Sequence, residues 1–259
     1  IWFVLGLDWG IEGVAVAKEI QEVTALIFGL FLCYDRFKDN SWQSLQAIFL
    51  TERLKNMLSI NLDILLRSII LQAIFVSFLL YGGQFGDVKL AANQILLQFL
   101  HIAAHGLDGF AFAAETLVGQ AFGKKDRTIL RKSVTLTSKL AFLLCLIIAI
   151  IFFFIGSSLI DVMTTAEDVR LEAKGYIIFI VLVPILGVFP YMLDGIFVGA
   201  MKTKDMRNMM FISLIFYLLA LILLVPRFEN IGLWSALLIS FVVRGVTLLL
   251  RYPSLEKSI

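Results

Sequence analysis

The stretch from Leu90 to Lys132, LAANQILLQFLHIAAHGLDGFAFAAETLVGQAFGKKDRTILRK, is apolar enough to lie in a bilayer and too polar along one side to face lipid. Gln94, Gln98, His101, His105 and Asp108 recur at spacings of four, three, four and three. At about 100° per residue these side chains fall on one narrow stripe of a helix. Glu115 and Gly119 continue the stripe within roughly one helix edge. An ionisable group at mid-bilayer costs about 2.5–3.5 kcal/mol if it faces hydrocarbon, so the stripe is expected to face protein or a water-filled cavity. Gly123, Lys124, Lys125, Asp126 and Arg127 follow, with Arg131 and Lys132 close behind. That is a helix end meeting a basic, water-exposed loop.

Composition carries the same constraint to the whole chain. Hydrophobic residues make up 60% and charged residues 16%, against about 25% charged in soluble domains. The fold class is therefore an all-α integral membrane protein, a polytopic helical bundle. The net charge of +2 is carried by loops and does not point to a nucleic-acid partner. Cys33 and Cys145 lie at or inside apolar runs and read as packing residues rather than as a disulfide or metal pair. The chain opens with Ile1 in the run IWFVLGL, without a signal peptide, and reads as a fragment of a longer protein.

Apolar runs of about 20 residues mark about seven spans. They cover 11–33, 57–81, the opening stretch, 134–160, 171–201, 209–225 and 232–250, and residues 1–7 read as the tail of an earlier helix turning at Gly6–Gly10. Lys18 and Glu22 in the first span are four apart and are expected to pair. Pro184, Gly187, Pro190, Gly195 and Gly199 are expected to bend or break the fifth span. Residues 161–170 read as an acidic loop and 226–231 as a turn. Alternate loops differ in charge: 34–57, 123–133, 202–207 and the tail hold fourteen Lys and Arg, whereas the intervening loops hold three, Lys89, Arg170 and Arg227. The positive-inside rule places the first set in the cytoplasm.

Two segments also resemble each other. Gly10–Ala17 (GIEGVAVA) aligns with Glu229–Ala236 (ENIGLWSA), matching Gly13 to Gly232 and Ala17 to Ala236. Each follows an outer turn and opens a span. Repeats of about 220 residues, each of six helices, would then be related by an axis along the membrane normal, a transporter architecture.

The segments LAANQI at 90–95, HGLDGFAFAAETLVGQAFGKKD at 105–126 and LDGIFVGAMKTKDMRN at 193–208 resemble the carboxyl lobe of multidrug and toxic compound extrusion (MATE) transporters, with wording nearest the DinF-like branch. The resemblance implies a two-lobe, twelve-helix transporter. It divides the chain into the end of helix five and helix six (1–35), a cytoplasmic inter-lobe linker (36–56) and a carboxyl-terminal six-helix lobe (57–259). It further implies export of cationic or amphipathic compounds in exchange for protons or sodium. No other cofactor is expected. The implied partners are amphipathic small molecules, the lipid bilayer and a missing amino-terminal lobe, and the implied location is the bacterial plasma membrane. The family's central acidic residue on helix one has no counterpart in this chain. Lys18, Glu19 and Gln21 depart from the small apolar residues expected in helix six.

Two alternatives are open at this point. His101 and His105 have the spacing of zinc ligands on a helix, and Leu193-Asp194-Gly195 follows Pro190 as an LDG aspartate would in an intramembrane metalloprotease. Ile102, however, stands where the general base of such an enzyme is needed, so the chain is not expected to be an enzyme. A lipid-linked sugar flippase of related architecture would call for a strongly basic cavity.

Asp63, Arg67, Asp108, Glu115 and Asp194 are the candidate coupling charges, with Gln94, Gln98, His101 and His105 lining the cavity. A carboxylate shielded from water takes up a proton more readily than one in bulk, and a cationic substrate can compete for it. Arg67 lies near mid-bilayer and keeps its charge, so it needs an anion. Asp63, one turn earlier, and a carboxylate of the missing lobe are its two candidate partners.

Overall fold

A computed structural model describes residues 2–6, 9–37 and 51–259, and the chain divides into two compact units, Ile1–Met57 and Leu58–Ile259. Most of the expected linker, residues 38–50, and the turn residues Leu7 and Asp8 lie outside the described residues.

The first unit holds a short π-helical turn, Trp2–Gly6, and helix α1, Gly10–Phe37. Trp9 donates its backbone N–H to Phe3 O at 3.2 Å, and the Phe3 and Trp9 rings stand 5.6 Å apart. Gly13 packs so closely on this turn that a Cβ would lie 2.7 Å from Phe3 O. Lys18 and Glu22 are both exposed and the expected pair does not form, because neither side chain is desolvated enough to favour it. Five helices are long and apolar enough to cross a membrane among the described residues. Helix α1 is not one of them, since Glu12, Lys18, Glu19 and Glu22 crowd its first half.

The second unit begins within the next helix and carries everything after it. Helix α2 (Thr51–Gly83) is followed by α3 (Asp87–Lys124), α4 (Arg127–Met163), α5 (Glu167–Gly175), α6 (Ile177–Gly199) and α7 (Thr203–Lys257). Of these, α2, α3, α4, α6 and α7 are the membrane-length helices. Lys125 closes α3 in the left-handed region at φ 54°, and Asp126 N returns to Ala121 O at 3.1 Å, which satisfies carbonyls the helix leaves open. Asp126 then caps α4, accepting from Thr128 N at 2.8 Å and Ile129 N at 3.0 Å.

The span expected over 171–201 is two helices, divided at Tyr176 rather than at its prolines. The cause is polar: Arg170 donates to the carbonyls of Thr164 and Asp161, both at 2.6 Å, and Lys174 donates to the Asp161 carboxylate at 2.8 Å. These bonds hold the amphipathic α5 against the carboxyl end of α4, where free carbonyls attract cations. The loop expected at 161–170 thus becomes partly helical. Pro184 and Pro190 both lie inside the continuous α6.

The spans expected at 209–225 and 232–250 are the two limbs of the 55-residue α7, which is non-helical only at Glu229 (φ 46°, ψ −122°). The chain doubles back there. Ser213 donates to Ser240 O at 2.8 Å, and a Cβ on Gly232 would lie 2.5 Å from Leu224 O. A positive φ is unfavourable for glutamate. It is held by the Lys89–Glu229 ion pair at 2.7 Å and by the reciprocal Asn93–Asn230 amide bonds, at 2.8 and 3.0 Å, beside it. Trp234 Nε1 completes that network on Asn93 Oδ1 at 2.9 Å.

Helix α6 lies against α3 at the spacing of small residues. Cβ atoms on Gly195 and Gly199 would stand 2.4 Å from Ala111 O and 2.3 Å from Glu115 O, the close backbone approach that small-xxx-small pairs permit in membranes. Two apolar clusters form the interior. One is built around Phe78, Phe99 and Trp234, with Phe78 edge-on to Trp234 at 5.0 Å. The other is built around Leu107, Val118, Phe197 and Leu248. The seam between the two clusters is where the charged side chains meet.

Candidate functional site

On α2 the seam falls between Ile64 and Ile70, and on the second limb of α7 between Phe241 and Leu248. Arg67 and Arg244 occupy those intervals. Both reach Asp194 on α6: Arg67 Nη2 donates to Asp194 Oδ2, and Arg244 Nη2 meets the same oxygen. Arg244 is 2% exposed and Asp194 is buried with it. The α7 backbone comes this close because Gly245 has no side chain; a Cβ there would lie 3.1 Å from Phe189 Cβ and 3.3 Å from Pro190 Cδ. Tyr191 and Asp108 complete the surroundings, both within electrostatic reach of Arg67.

The cluster is incompletely satisfied. Asp194 Oδ1, Arg67 Nε and Arg244 Nη2 are buried and have no hydrogen-bond partner among the described residues, the last meeting Asp194 as an ion pair only. Leaving a buried polar atom unpaired costs about 1–3 kcal/mol, more when the group is charged. Beside Tyr191, a void of about 10 Å³ lies between α3, α6 and α7, lined by Ala103, Leu107 and Gly187 among others. Its lining is apolar apart from Tyr191 and does not include Asp194, so it has too few polar partners to hold a water. Oδ1 of the shared carboxylate is thus the unsatisfied acceptor of the cluster.

The expected partner of Arg67 was Asp63 or a carboxylate of another lobe; in this chain it is Asp194. Asp63 is directed elsewhere. It accepts from Arg207 Nη1 at 2.6 Å and from Thr203 Oγ1 at 3.1 Å, tying α2 to the start of α7. The difference is geometric, because Asp63 and Arg67 diverge toward different helices although they are one turn apart.

Of the other candidates, Asp108 lies within electrostatic reach of Arg67 without an ion pair to it. Gln94, Gln98, His101 and His105 line an exposed edge of α3, so on this unit the polar stripe faces outward. His105 Nδ1 donates to His101 O at 2.6 Å, and the His101 ring stands 6.1 Å from Phe75. Glu115 is half-buried at the far end of α3, and it is its backbone that Gly199 approaches. No group of three or more His, Cys, Asp or Glu side chains that could hold a metal ion occurs among the described residues. Sequence reasoning missed Arg244 and Tyr191. The signal for Arg244 was available, since it is an isolated arginine in the apolar run 232–250, the criterion that had singled out Arg67.

The MatE family model matches residues 64–224. DNA damage-inducible protein F of Escherichia coli K12 is 31% identical over 96% of this chain and 54% of its own length. A probable multidrug resistance protein NorM of Xylella fastidiosa is 26% identical over 48% of this chain and 27% of its own length. Among solved structures, the bent form of the Vibrio cholerae MATE transporter VcmN superposes with a TM-score of 0.79 at 20% identity, covering 99% of this chain and 58% of that one. A MOP-superfamily transporter from Pyrococcus furiosus, described as having a binding pocket of reversed polarity, superposes at 0.69 with 16% identity, covering 76% and 44%. The chain thus spans about half the length of the first of these relatives and of the VcmN structure.

Proposed function

The chain belongs to the MatE family of multi-pass membrane transporters, and from that premise we propose that it forms the carboxyl-terminal lobe of a secondary exporter. The exporter expels cationic or amphipathic compounds in exchange for protons or sodium, by alternating access, across a bacterial plasma membrane. Proteins of this family are transporters rather than enzymes, which removes the metalloprotease alternative.

The observation that carries the reading is one buried carboxylate shared by two guanidiniums, with one oxygen left open. A proton, sodium ion or cationic substrate arriving at Asp194 Oδ1 withdraws negative charge from Oδ2. Arg67 and Arg244 then lose their common anion and repel each other. Because they stand on α2 and α7 and Asp194 stands on α6, occupancy of one oxygen acts on three helices at once. Asp108 is within electrostatic reach of Arg67. The exposed stripe of Gln94, Gln98, His101 and His105 would then face the cavity closed by an amino-terminal lobe. Two arginines are matched by two aspartates here, so the cluster does not favour the strongly basic cavity of a lipid-linked sugar flippase.

The test uses a protein carrying both lobes in proteoliposomes loaded with a fluorescent cation. Efflux driven by an imposed proton or sodium gradient is expected to disappear in Asp194→Asn and to persist in Asp63→Asn at equal protein content. Undiminished efflux from Asp194→Asn overturns the mechanism. Topology is checked separately. Cysteines placed at Lys125 and Glu167 should be labelled from opposite sides of the membrane, and labelling of both from outside contradicts it.

A further inference from the structure

A second chemical feature lies away from the ion cluster, on the face where α4, α6 and the second limb of α7 meet. Between them runs an apolar cleft of about 440 Å³, walled by Phe142, Val188, Phe189, Met192 and Leu249. Phe142, Phe189 and Leu249 are 43%, 52% and 55% exposed, an apolar lining left uncovered among the described residues. At one end the cleft passes through Thr135 and Lys139 into a surface groove that also holds Arg131 and Lys132.

The charges at that end are not equivalent. Arg131 is ion-paired with Glu256. Lys132 and Lys139 have no hydrogen bond or ion pair with protein among the described residues. Ser138 and Tyr252 also line the cleft.

Depth can be read from α4 itself. Residues 140–160 contain no Asp, Glu, Lys or Arg, and at about 1.5 Å per residue they span about 30 Å, the thickness of the hydrocarbon core. Lys139 is the residue immediately before this run, on the side of the basic 123–133 segment. Its ammonium is therefore at headgroup depth, and the cleft extends from it into the hydrocarbon.

We propose that this groove is a binding site for an anionic phospholipid of the leaflet that contacts the basic loops, with the phosphate on Lys132 and Lys139 and one acyl chain in the cleft. Charge complementarity selects the headgroup, because two unpaired cations line the polar end. The cleft selects a lipid over a soluble anion, because an anion alone would leave the Phe142, Phe189 and Leu249 walls unused. Basic pockets between transmembrane helices are a recurrent form of lipid recognition. The site is separate from the ion cluster and does not depend on the transport reading.

The experiment is native mass spectrometry of the 259-residue chain, purified in detergent and titrated with phosphatidylglycerol or phosphatidylcholine of identical acyl chains. One phosphatidylglycerol should be retained in preference to phosphatidylcholine. Lys132→Gln and Lys139→Gln should each weaken that retention by roughly fivefold, the ordinary effect of one basic residue near an anionic surface. Met192→Trp, which fills the cleft and leaves both lysines in place, should abolish retention; Leu249→Trp at the exposed wall serves if the first variant loses its helical signal. Equal retention of the two lipids overturns the proposal. So does undiminished phosphatidylglycerol binding by the double lysine variant or by the filled cleft. Displacement of the lipid by millimolar inorganic phosphate would show a free-anion site instead, which also overturns it.

Discussion

Asp63 and Asp194 are both buried aspartates that meet arginines from other helices, and they are built to opposite specifications. Each oxygen of Asp63 has its own donor, Arg207 on one and Thr203 on the other. Asp194 puts one oxygen against two guanidiniums and leaves the other with none. A fully satisfied carboxylate fixes α2 against α7 and has nothing left to bind. An unsatisfied one under two positive charges is poised to exchange partners. Burial and charge are common to both; hydrogen-bond satisfaction is what separates a staple from a site.

The largest expected effect comes from removing the shared anion. Asp194→Ala leaves two guanidiniums facing each other in the interior, and breaking a buried pair from one side costs about 3–5 kcal/mol. Thermal unfolding in detergent measures it, and adding Arg244→Met should recover part of the loss; a strictly additive double variant would mean that the two residues do not interact. Next comes Gly195→Ala, which displaces Asp194 without changing its chemistry. The added Cβ would stand 2.4 Å from Ala111 O, so α6 must move from α3, with an expected cost of about 1–3 kcal/mol and reduced efflux in a two-lobe protein. If efflux is untouched while stability falls, α6 placement does not control the site. Asp63→Asn should cost about 1.5 kcal/mol, the scale of one hydrogen bond to a charged group, with efflux preserved. Lost efflux from a stable Asp63→Asn protein would erase the distinction between the two aspartates. The smallest effect belongs to the Lys89–Glu229 pair, whose glutamate is 65% exposed. Lys89→Ala should cost less than about 1 kcal/mol, and the difference should shrink in high salt.

What could be read from the sequence was what depends on apolar length and on charge in loops. The α3 and α4 helices, the basic turn between them and the fold-back near 226–231 follow from runs and punctuation that are local. The division at Tyr176 does not, because it depends on Arg170 and Lys174 reaching back to carbonyls at the end of α4. The ion cluster was half legible. Arg67 and Asp194 stand out as charges in apolar runs, but their pairing joins helices 127 positions apart, a distance that periodicity does not cover. Asp63 was one of two candidate partners for Arg67 because it is close along the same helix, and tertiary geometry sends it elsewhere. The matched glycines did carry structural content. Gly13 and Gly232 each let a helix close onto the carbonyl of the preceding turn, at 2.7 and 2.5 Å for an added Cβ.

The burial of Arg244 also bears on how the protein is made. A segment leaving the ribosome is sorted between translocon and lipid by its own apolarity, and an arginine at its centre disfavours release by about 2.5–3.5 kcal/mol. The second limb of α7 carries that penalty until Asp194 neutralises it. Its counter-ion is already present, one hairpin earlier on α6. Burial of Arg244 in the final limb is therefore coupled energetically to the placement of α6, and the two helices carry their charges into the bilayer at least cost when they do so together.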